Sequence, residues 1–312
     1  LFSGYDAAKR SYDVSSWDYK YDESGTILRD ETLQNPRCVF QLMKKHYERY
    51  DIETVCKITG SPKGKYLDVL KTFCATGAAD KTGCINYAMG ITQHVTGTAN
   101  VAALANLALI TGQIGKEASG INPLRGQNNV QGACDMGALP DVLPGYQKFS
   151  NENVLAKFTL KWGKEFAHEE GMTVSQMMEE AAHGKIKALY IMGENPALSD
   201  PDEAHVLAAL QNLEFLVVQD IFLTETAKHA HVVLPGVSFI EKDGTFTNTE
   251  RRVQRVRKAL EPAGECKPDW LILMELIQAF GYEANYTNPA DIMTEINQLI
   301  PSYGGITSAG LV

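Results

Sequence analysis

The chain has 312 residues, 44% of them hydrophobic and 21% charged, which is ordinary for a globular protein long enough for two domains. Its 29 basic against 38 acidic residues leave a formal charge of −9, and without a basic stripe to neutralise phosphates this argues against a nucleic-acid binder. The longest apolar stretch, Val101 to Ile110, is about half of the roughly 20 residues a membrane-spanning helix requires, and Asn106 interrupts it.

Residues 1 to 35, rich in Tyr and Asp and weakly periodic, read as an extended, loop-rich arm. No signal-peptide pattern opens them, and Leu1 stands where an initiator Met would, as expected of a piece of a longer polypeptide. From Pro36 the three- and four-residue spacing of Val39, Leu42, Met43, His46, Tyr47 and Tyr50 predicts a helix. A second short helix is expected to end at Gly60. A third opens on the Ser61-Pro62 pair and is expected to bury Tyr66, Val69, Leu70 and Phe73. Cys84 to Gly90 reads as a buried strand entering a glycine turn, and Thr98 to Thr111 as an Ala/Leu-rich helix stopped by Gly112. From Gly115 to Gly145 the chain is full of Gly, Asn, Gln and Pro, and so long an irregular stretch in a compact protein points to function.

A strand–helix series follows, with strands at Lys187 to Met192, Phe215 to Gln219 and His231 to Leu234, and helices at Pro201 to Leu213 and Thr224 to Ala230. Such alternation predicts an α/β fold: a Rossmann-like parallel sheet with helices on both faces. Ligands of these sheets bind at the loops after the strands. Here those loops are Gly193-Glu194-Asn195-Pro196, Asp220 to Thr224 and Pro235-Gly236, all rich in groups able to hydrogen-bond a nucleotide. No GxGxxG or P-loop fingerprint accompanies them. Arg251, Arg252, Arg255, Arg257 and Lys258 are interleaved with Val253, Gln254 and Val256, which suits a strand with one solvated face. Helices at Asp269 to Phe280 and Pro289 to Leu299 finish the chain.

None of Cys38, Cys56, Cys74, Cys84, Cys134 and Cys266 lies two or three residues from another, so no iron–sulfur or zinc spacing is present. In a chain this long they read as reduced, buried and structural. His94, His229 and His231 have no metal-ligand context, and Ser238 lies in no GxSxG elbow.

The loop Asn122-Pro-Leu-Arg-Gly-Gln-Asn-Asn-Val-Gln-Gly-Ala-Cys-Asp-Met-Gly-Ala-Leu-Pro140 closely resembles the formate dehydrogenase branch of the molybdopterin oxidoreductases. Supporting matches are Gly90-Ile-Thr-Gln-His94, Tyr190-Ile-Met-Gly-Glu-Asn-Pro196, Val218-Gln-Asp-Ile-Phe222, Gly244-Thr-Phe-Thr-Asn248 and Glu250-Arg-Arg-Val-Gln254. Leu1-Phe-Ser-Gly-Tyr-Asp6 and Pro36-Arg-Cys-Val39 resemble the larger, membrane-associated members.

The resemblance implies an internal segment of a formate dehydrogenase catalytic (alpha) subunit. Such a subunit holds molybdenum or tungsten between two molybdopterin guanine dinucleotides, oxidises formate to carbon dioxide and passes electrons to partner subunits of a larger complex. It implies a first pterin-binding α/β domain over residues 1–125 behind the arm, a guanine-dinucleotide-binding α/β domain over 126–240, and a strand-and-helix return over 241–312. The arginine matching Arg125 lies by the metal and orients formate. A guanidinium fork suits a carboxylate and stays charged at any working pH, although an arginine alone more often meets a backbone carbonyl or surface carboxylate. Gln127, Asn128 and Asn129 can donate and accept at once, which suits pterin and phosphate edges as well as ordinary turns. Gly126 and Gly132 permit close backbone approach. Met89 and Gln93 match positions near the pterins, Met89 otherwise being a core residue. Gly193, Glu194, Asn195, Asp220 and Thr224 match a guanosine site, with a helix cap as the alternative for Asp220. For Glu241, Asn248 and Glu250 a strand-edge salt bridge is the expected role.

The family's four-cysteine region for a 4Fe-4S cluster, its metal-ligating Cys or selenocysteine followed by His, and its C-terminal barrel-like domain have no counterpart in these residues. Arg125 is thus expected to be half of an active site, and the chain alone inactive. The rival readings are a pterin-dependent reductase of nitrate or a sulfur oxyanion, a non-catalytic scaffold of the same family, and a plain nucleotide-binding module. The Arg125 loop argues against the first, and the cost of burying an unused cation against the second. Reduced cysteines point to the cytoplasm, with the periplasm as the alternative.

Overall fold

The computed structural model describes residues 5–6, 11–12, 18–165 and 169–311. The backbone divides into two units, Leu1–Ile85 with Thr96–Asn122, and Asn86–Val95 with Pro123–Val312. Residues 241–312 therefore share a unit with 126–240.

The chain opens with β1 (Tyr5–Asp6) and β2 (Ser11–Tyr12), an antiparallel pair. The rest of the expected arm lies partly outside the described residues, and from Asp18 it consists of turns and isolated bridges, Tyr21 to Ile27 among them. Helices α1 (Val39–Tyr47), α2 (Ile52–Thr59) and α3 (Lys63–Ala75) follow. Asp51 caps α2 by accepting the Thr54 N–H, and Gly60 ends it in the left-handed conformation that glycine adopts without strain. In α3 the expected burial fails for Val69, which is 70% exposed, and for Leu70, while Tyr66 and Phe73 are half-buried. The main neighbour of α3 is the short α2, which cannot cover the whole apolar stripe.

Next come β3 (Cys84–Tyr87), α4 (Met89–Thr92), α5 (Gly97–Ile110) and β4 (Gly120–Pro123), with β3 paired to β4. The glycine turn expected after the first of these strands is the short helix α4. In the first unit the fully buried Gln113 accepts the Gly83 N–H (2.8 Å) and donates to the Thr76 and Thr111 carbonyls (2.8 and 2.9 Å). Every polar end of that buried amide is satisfied, so it fastens the ends of α3 and α5 without a desolvation penalty.

The second unit continues through α6 (Val130–Asp135), the antiparallel pair β5 (Val142–Leu143) and β6 (Gln147–Lys148), α7 (Glu152–Trp162) and α8 (Val174–Ala182). Then follow β7 (Ala188–Met192), α9 (Pro196–Ser199), α10 (Glu203–Gln211), β8 (Phe215–Asp220) and β9 (Val232–Pro235). Its last elements are the antiparallel hairpin β10 (Gly244–Thr247) and β11 (Val253–Val256), then α11 (Asp269–Ala279) and α12 (Pro289–Leu299). Strands β7, β8 and β9 form a parallel sheet in that order, with Ile191 opposite Val218 and Val218 opposite Val233. This is the mixed α/β architecture that the alternating sequence predicts.

Leu216 and Val218 on one face of the sheet pack with Ile191, with Met178 and Ala181 of α8, and with Val206, Ala209 and Leu210 of α10. Fully burying each large apolar side chain contributes roughly 1.5–3 kcal/mol. On the opposite face Tyr190, Met192, Phe215 and Val232 remain exposed. The helix expected over Thr224 to Ala230 is only a 3-10 turn, Ala227–His229. Thr224 Oγ1 accepts the Ala227 N–H (3.1 Å), and too few residues remain to propagate a longer helix.

A second core joins Leu155 and Phe158 of α7 to Met293 and Leu299 of α12, with Ile300 and Tyr303. All six cysteines are free, but only Cys38 is buried, while Cys74 and Cys84 are exposed; the expectation of general burial does not hold. No helix among the described residues is long and apolar enough to cross a membrane.

Burial pushes the Tyr303 hydroxyl up to about 12, and Tyr286, half-buried and donating to Glu295, is likewise raised to about 12. Below pH 10 both folded and unfolded states keep these protons, and stability is independent of them. Between pH 10 and 12 the unfolded chain releases them first, so stability falls as pH rises, by of order 2 kcal/mol for Tyr303. Denaturant midpoints across this window should show the loss, with a shallower slope for Tyr303→Phe. Equal slopes would contradict it.

Candidate functional site

Arg125 stands in the loop between β4 and α6. Its backbone N–H donates to Thr249 Oγ1 (3.3 Å), and its Nε–H donates to Gln131 Oε1 (2.9 Å). Its terminal Nη groups have no partner among the described residues, and the side chain is exposed. The expected buried cation is therefore not observed, and desolvation cost does not weigh against a scaffold reading.

Beneath Arg125 lies a buried network. Gln131 Nε2 donates to Asp135 Oδ1 (2.8 Å) and to the Tyr146 hydroxyl (3.3 Å). Tyr303 donates its hydroxyl to Asp135 Oδ2 (2.7 Å), and Thr247 Oγ1 lies 2.9 Å from the same hydroxyl. Arg251 places Nη2 3.5 Å from Asp135 Oδ1. Gln131, Asp135, Thr247 and Tyr303 are 4–6% exposed. Such a carboxylate is tolerable because neutral donors and one cation surround it.

Asn129 takes the left-handed conformation (φ 61°) just before α6, and its Oδ1 accepts the Thr247 N–H (2.9 Å). Its backbone thus makes the turn, while its side chain ties the loop to β10. A Cβ on Gly132 would lie 2.1 Å from that same Oδ1, so the loop needs a glycine there, whereas one on Gly126 would meet nothing within 4 Å. Gly132→Ala should therefore cost about 1–3 kcal/mol in denaturant unfolding, and Gly126→Ala less than about 0.5. Similar values for the two would refute the crowding at Gly132.

Gln127, Asn128 and Gln93 are exposed, and their side chains have no hydrogen-bond partner among the described residues. Met89, exposed at the start of α4, is not a core residue. His94 Nε2 lies 2.9 Å from the Gly90 carbonyl within the same turn, and His231 Nδ1 accepts the Leu216 N–H (3.0 Å). Among the described residues no cluster of His, Cys, Asp or Glu could hold a metal ion.

At the sheet's carboxyl end, Gly193 turns in the left-handed region (φ 65°) after β7. Glu194 has no polar partner among the described residues, and partial enclosure, with the like charge of Asp200 adding, raises its carboxyl. Asn195 is committed to the fold: Nδ2 donates to Glu225 (2.7 Å) and Oδ1 accepts the Thr226 N–H and hydroxyl (3.0 and 2.7 Å). Asp220 Oδ1 accepts the Ile221 and Phe222 N–H groups (2.6 and 3.1 Å), so it caps its own turn rather than a following helix. Thr224 likewise spends its hydroxyl on a cap. Glu241 accepts the Ser238 N–H in a capping box, and Asn248 accepts the Arg252 N–H. Neither Glu241 nor Glu250 forms an ion pair among the described residues, so the expected strand-edge bridge is not observed.

A family model described as Molybdopterin oxidoreductase matches residues 49–279. The chain belongs to the molybdopterin oxidoreductase family. It is 50% identical over 283 residues to the F420-dependent formate dehydrogenase subunit alpha of Methanocaldococcus jannaschii, covering 90% of this chain and 41% of that protein. Formate dehydrogenase H of Escherichia coli is 42% identical over 291 residues, covering 91% of this chain and 40% of its own. The chain thus spans about two-fifths of the length of these relatives. Among solved structures, acetylene hydratase of Pelobacter acetylenicus shares the fold, with a TM-score of 0.62 at 19% identity, over 90% of this chain and 40% of its own.

Family membership implies a molybdopterin cofactor. The donor set fits one: free amides at Gln93, Gln127 and Asn128, open space before Gly126 and Gly193, and an unpartnered carboxylate at Glu194 together suit a polar heterocycle with phosphates. Gln131, Asp135 and Tyr303 escaped the sequence reading. The one signal was the four-residue spacing of Gln131 and Asp135, which puts them on one helix face.

Proposed function

We propose that this chain is the formate-orienting, pterin-cradling segment of a formate dehydrogenase catalytic subunit. The observation that carries the reading is the Arg125 guanidinium, clamped at Nε by Gln131 with both Nη groups left for a ligand. A planar cationic fork presented in that way matches a small carboxylate. The names of the relatives support formate as that carboxylate.

In this reading the cofactor is a pair of molybdopterin guanine dinucleotides holding molybdenum or tungsten, which supplies the acceptor for the two electrons leaving formate. Met89, Gln93, Gly126, Gln127 and Asn128 would hold the pterins. Gly193 and Glu194 hold the guanosine end, while Asn195, Asp220 and Thr224 shape its loops. Arg125 binds the carboxylate and fixes its orientation, so that loss of the C–H bond releases carbon dioxide, a proton and two electrons. With it goes a proposed division by sequence, part of a pterin domain over residues 1–125, a guanine dinucleotide domain over 126–240 and a return over 241–312, although residues 86–95 and 241–312 share a compact unit with 126–240. A 4Fe-4S cluster and the metal-ligating residue belong to polypeptide beyond these 312 residues, electrons pass to partner subunits, and the free cysteines favour the cytoplasm.

The test is formate-dependent dye reduction by the complete enzyme and by the isolated 312-residue chain, together with nucleotide analysis of the released cofactor. Formate oxidation by the complete enzyme, a guanine nucleotide and an inactive isolated chain are expected. Reduction of nitrate or a sulfur oxyanion without formate oxidation would overturn the reading.

A further inference from the structure

Resting on the reading that Arg125 binds formate, we propose that Gln131 is the positioning residue for its guanidinium and that Asp135 sets the direction of the Gln131 amide. An ionised carboxylate only accepts, so Asp135 draws the amide nitrogen of Gln131 toward itself (2.8 Å). The amide oxygen is then left to face Arg125, where it accepts the Nε–H (2.9 Å). Reversing the amide would set donor against donor at Arg125 and oxygen against oxygen at Asp135. Tyr303 and Arg251 hold Asp135 from its other sides, at 2.7 and 3.5 Å. Gln131, Asp135 and Tyr303 are buried, while Arg251 and Arg125 are exposed. A buried base thus occupies Nε and leaves the Nη1/Nη2 edge as the fork open to a bidentate carboxylate. The plane of the fork is fixed before the substrate arrives, and less rotamer entropy is lost on binding.

The experiment is a double-mutant cycle in the complete holoenzyme, with kcat/KM for formate normalised to metal and pterin content. Gln131→Met should lower kcat/KM by about tenfold or more, from loss of a hydrogen bond to a charged group. Lysine has no Nε–H fork to clamp, so in the Arg125→Lys background the same change should cost less than about twofold. Equal losses in both backgrounds would make Gln131 structural and overturn the proposal. A second readout is independent of turnover: mass spectrometry of Arg125 modified by phenylglyoxal, with and without formate. Formate should protect Arg125 in the wild type and protect it only at higher concentration in Gln131→Met. An unchanged protection midpoint would also overturn the proposal. Absence of protection in the wild type would instead overturn the assignment of Arg125 to formate, a distinct failure. Should Gln131→Met lose metal, Asp135→Asn, which removes the charge and keeps the shape, goes through the same cycle with the same expectation and the same contrary result.

Discussion

Arg125→Ala in the complete enzyme is expected to lower kcat/KM for formate by at least about two orders of magnitude, the scale of losing roughly 3 kcal/mol of charged hydrogen bonding in the transition state. Formate offers one carboxylate and one C–H bond, so few contacts can steer it, and a fork supplies charge and orientation together. Arg125→Lys keeps the charge but not the planar fork, so it should lose less while lowering kcat as well as raising KM. Under the proposed function, metal and pterin content should stay near wild type in both, because the contacts proposed for Gln93, Gln127, Asn128 and the strand-end loops remain. Steady-state formate kinetics and metal analysis on the same preparations decide it. Normal turnover with full metal would remove Arg125 from the mechanism, and turnover lost together with metal would make it structural.

Leu216→Ala is the second large effect expected, on stability. Leu216 lies fully buried on the central strand β8, opposite Leu189 and within the core that α8 and α10 complete. Truncation removes its transfer energy and leaves a cavity, together about 2–5 kcal/mol. The same strand ends in Asp220, so loosening β8 should also relax the turn that Asp220 caps. Leu198, 73% exposed in α9, serves as control, and its change to Ala should stay within about 0.5 kcal/mol. Denaturant unfolding of the two variants beside wild type measures the contrast, and equal midpoints would contradict the assigned core.

The parallel sheet was legible because Ala188–Met192 and Val232–Pro235 are mostly apolar runs closed by Gly193 and Gly236, and Phe215–Asp220 opens with four apolar residues before polar Gln219 and Asp220. Helix α12 was legible too, since Asn288 precedes Pro289 and caps it. Helices α7 and α8 went unread although their caps are local: Asn151 accepts two N–H groups, and Thr173 forms a capping box with Gln176. Arg125 and its polar neighbours stood out by residue type and by resemblance. What holds Arg125 did not, because the Tyr303–Asp135 hydrogen bond joins residues 168 positions apart, and no local pattern reports such a contact. Residue type did not show that Asn195 engages Glu225 and Thr226 of the loop after β8, or that Thr224 accepts the Ala227 N–H of its own loop. Exposure of Val69 and Leu70 shows the converse: helical spacing marks an apolar face but does not say what covers it.

The most direct test of the central claim is a structure of the complete enzyme with formate bound. The account predicts the formate oxygens within hydrogen-bond distance of the Arg125 Nη atoms, with Nε–H still donating to Gln131 and the Gln131 amide nitrogen on Asp135. Formate bound away from Arg125, or Nη groups engaged by protein while formate sits elsewhere, would contradict it.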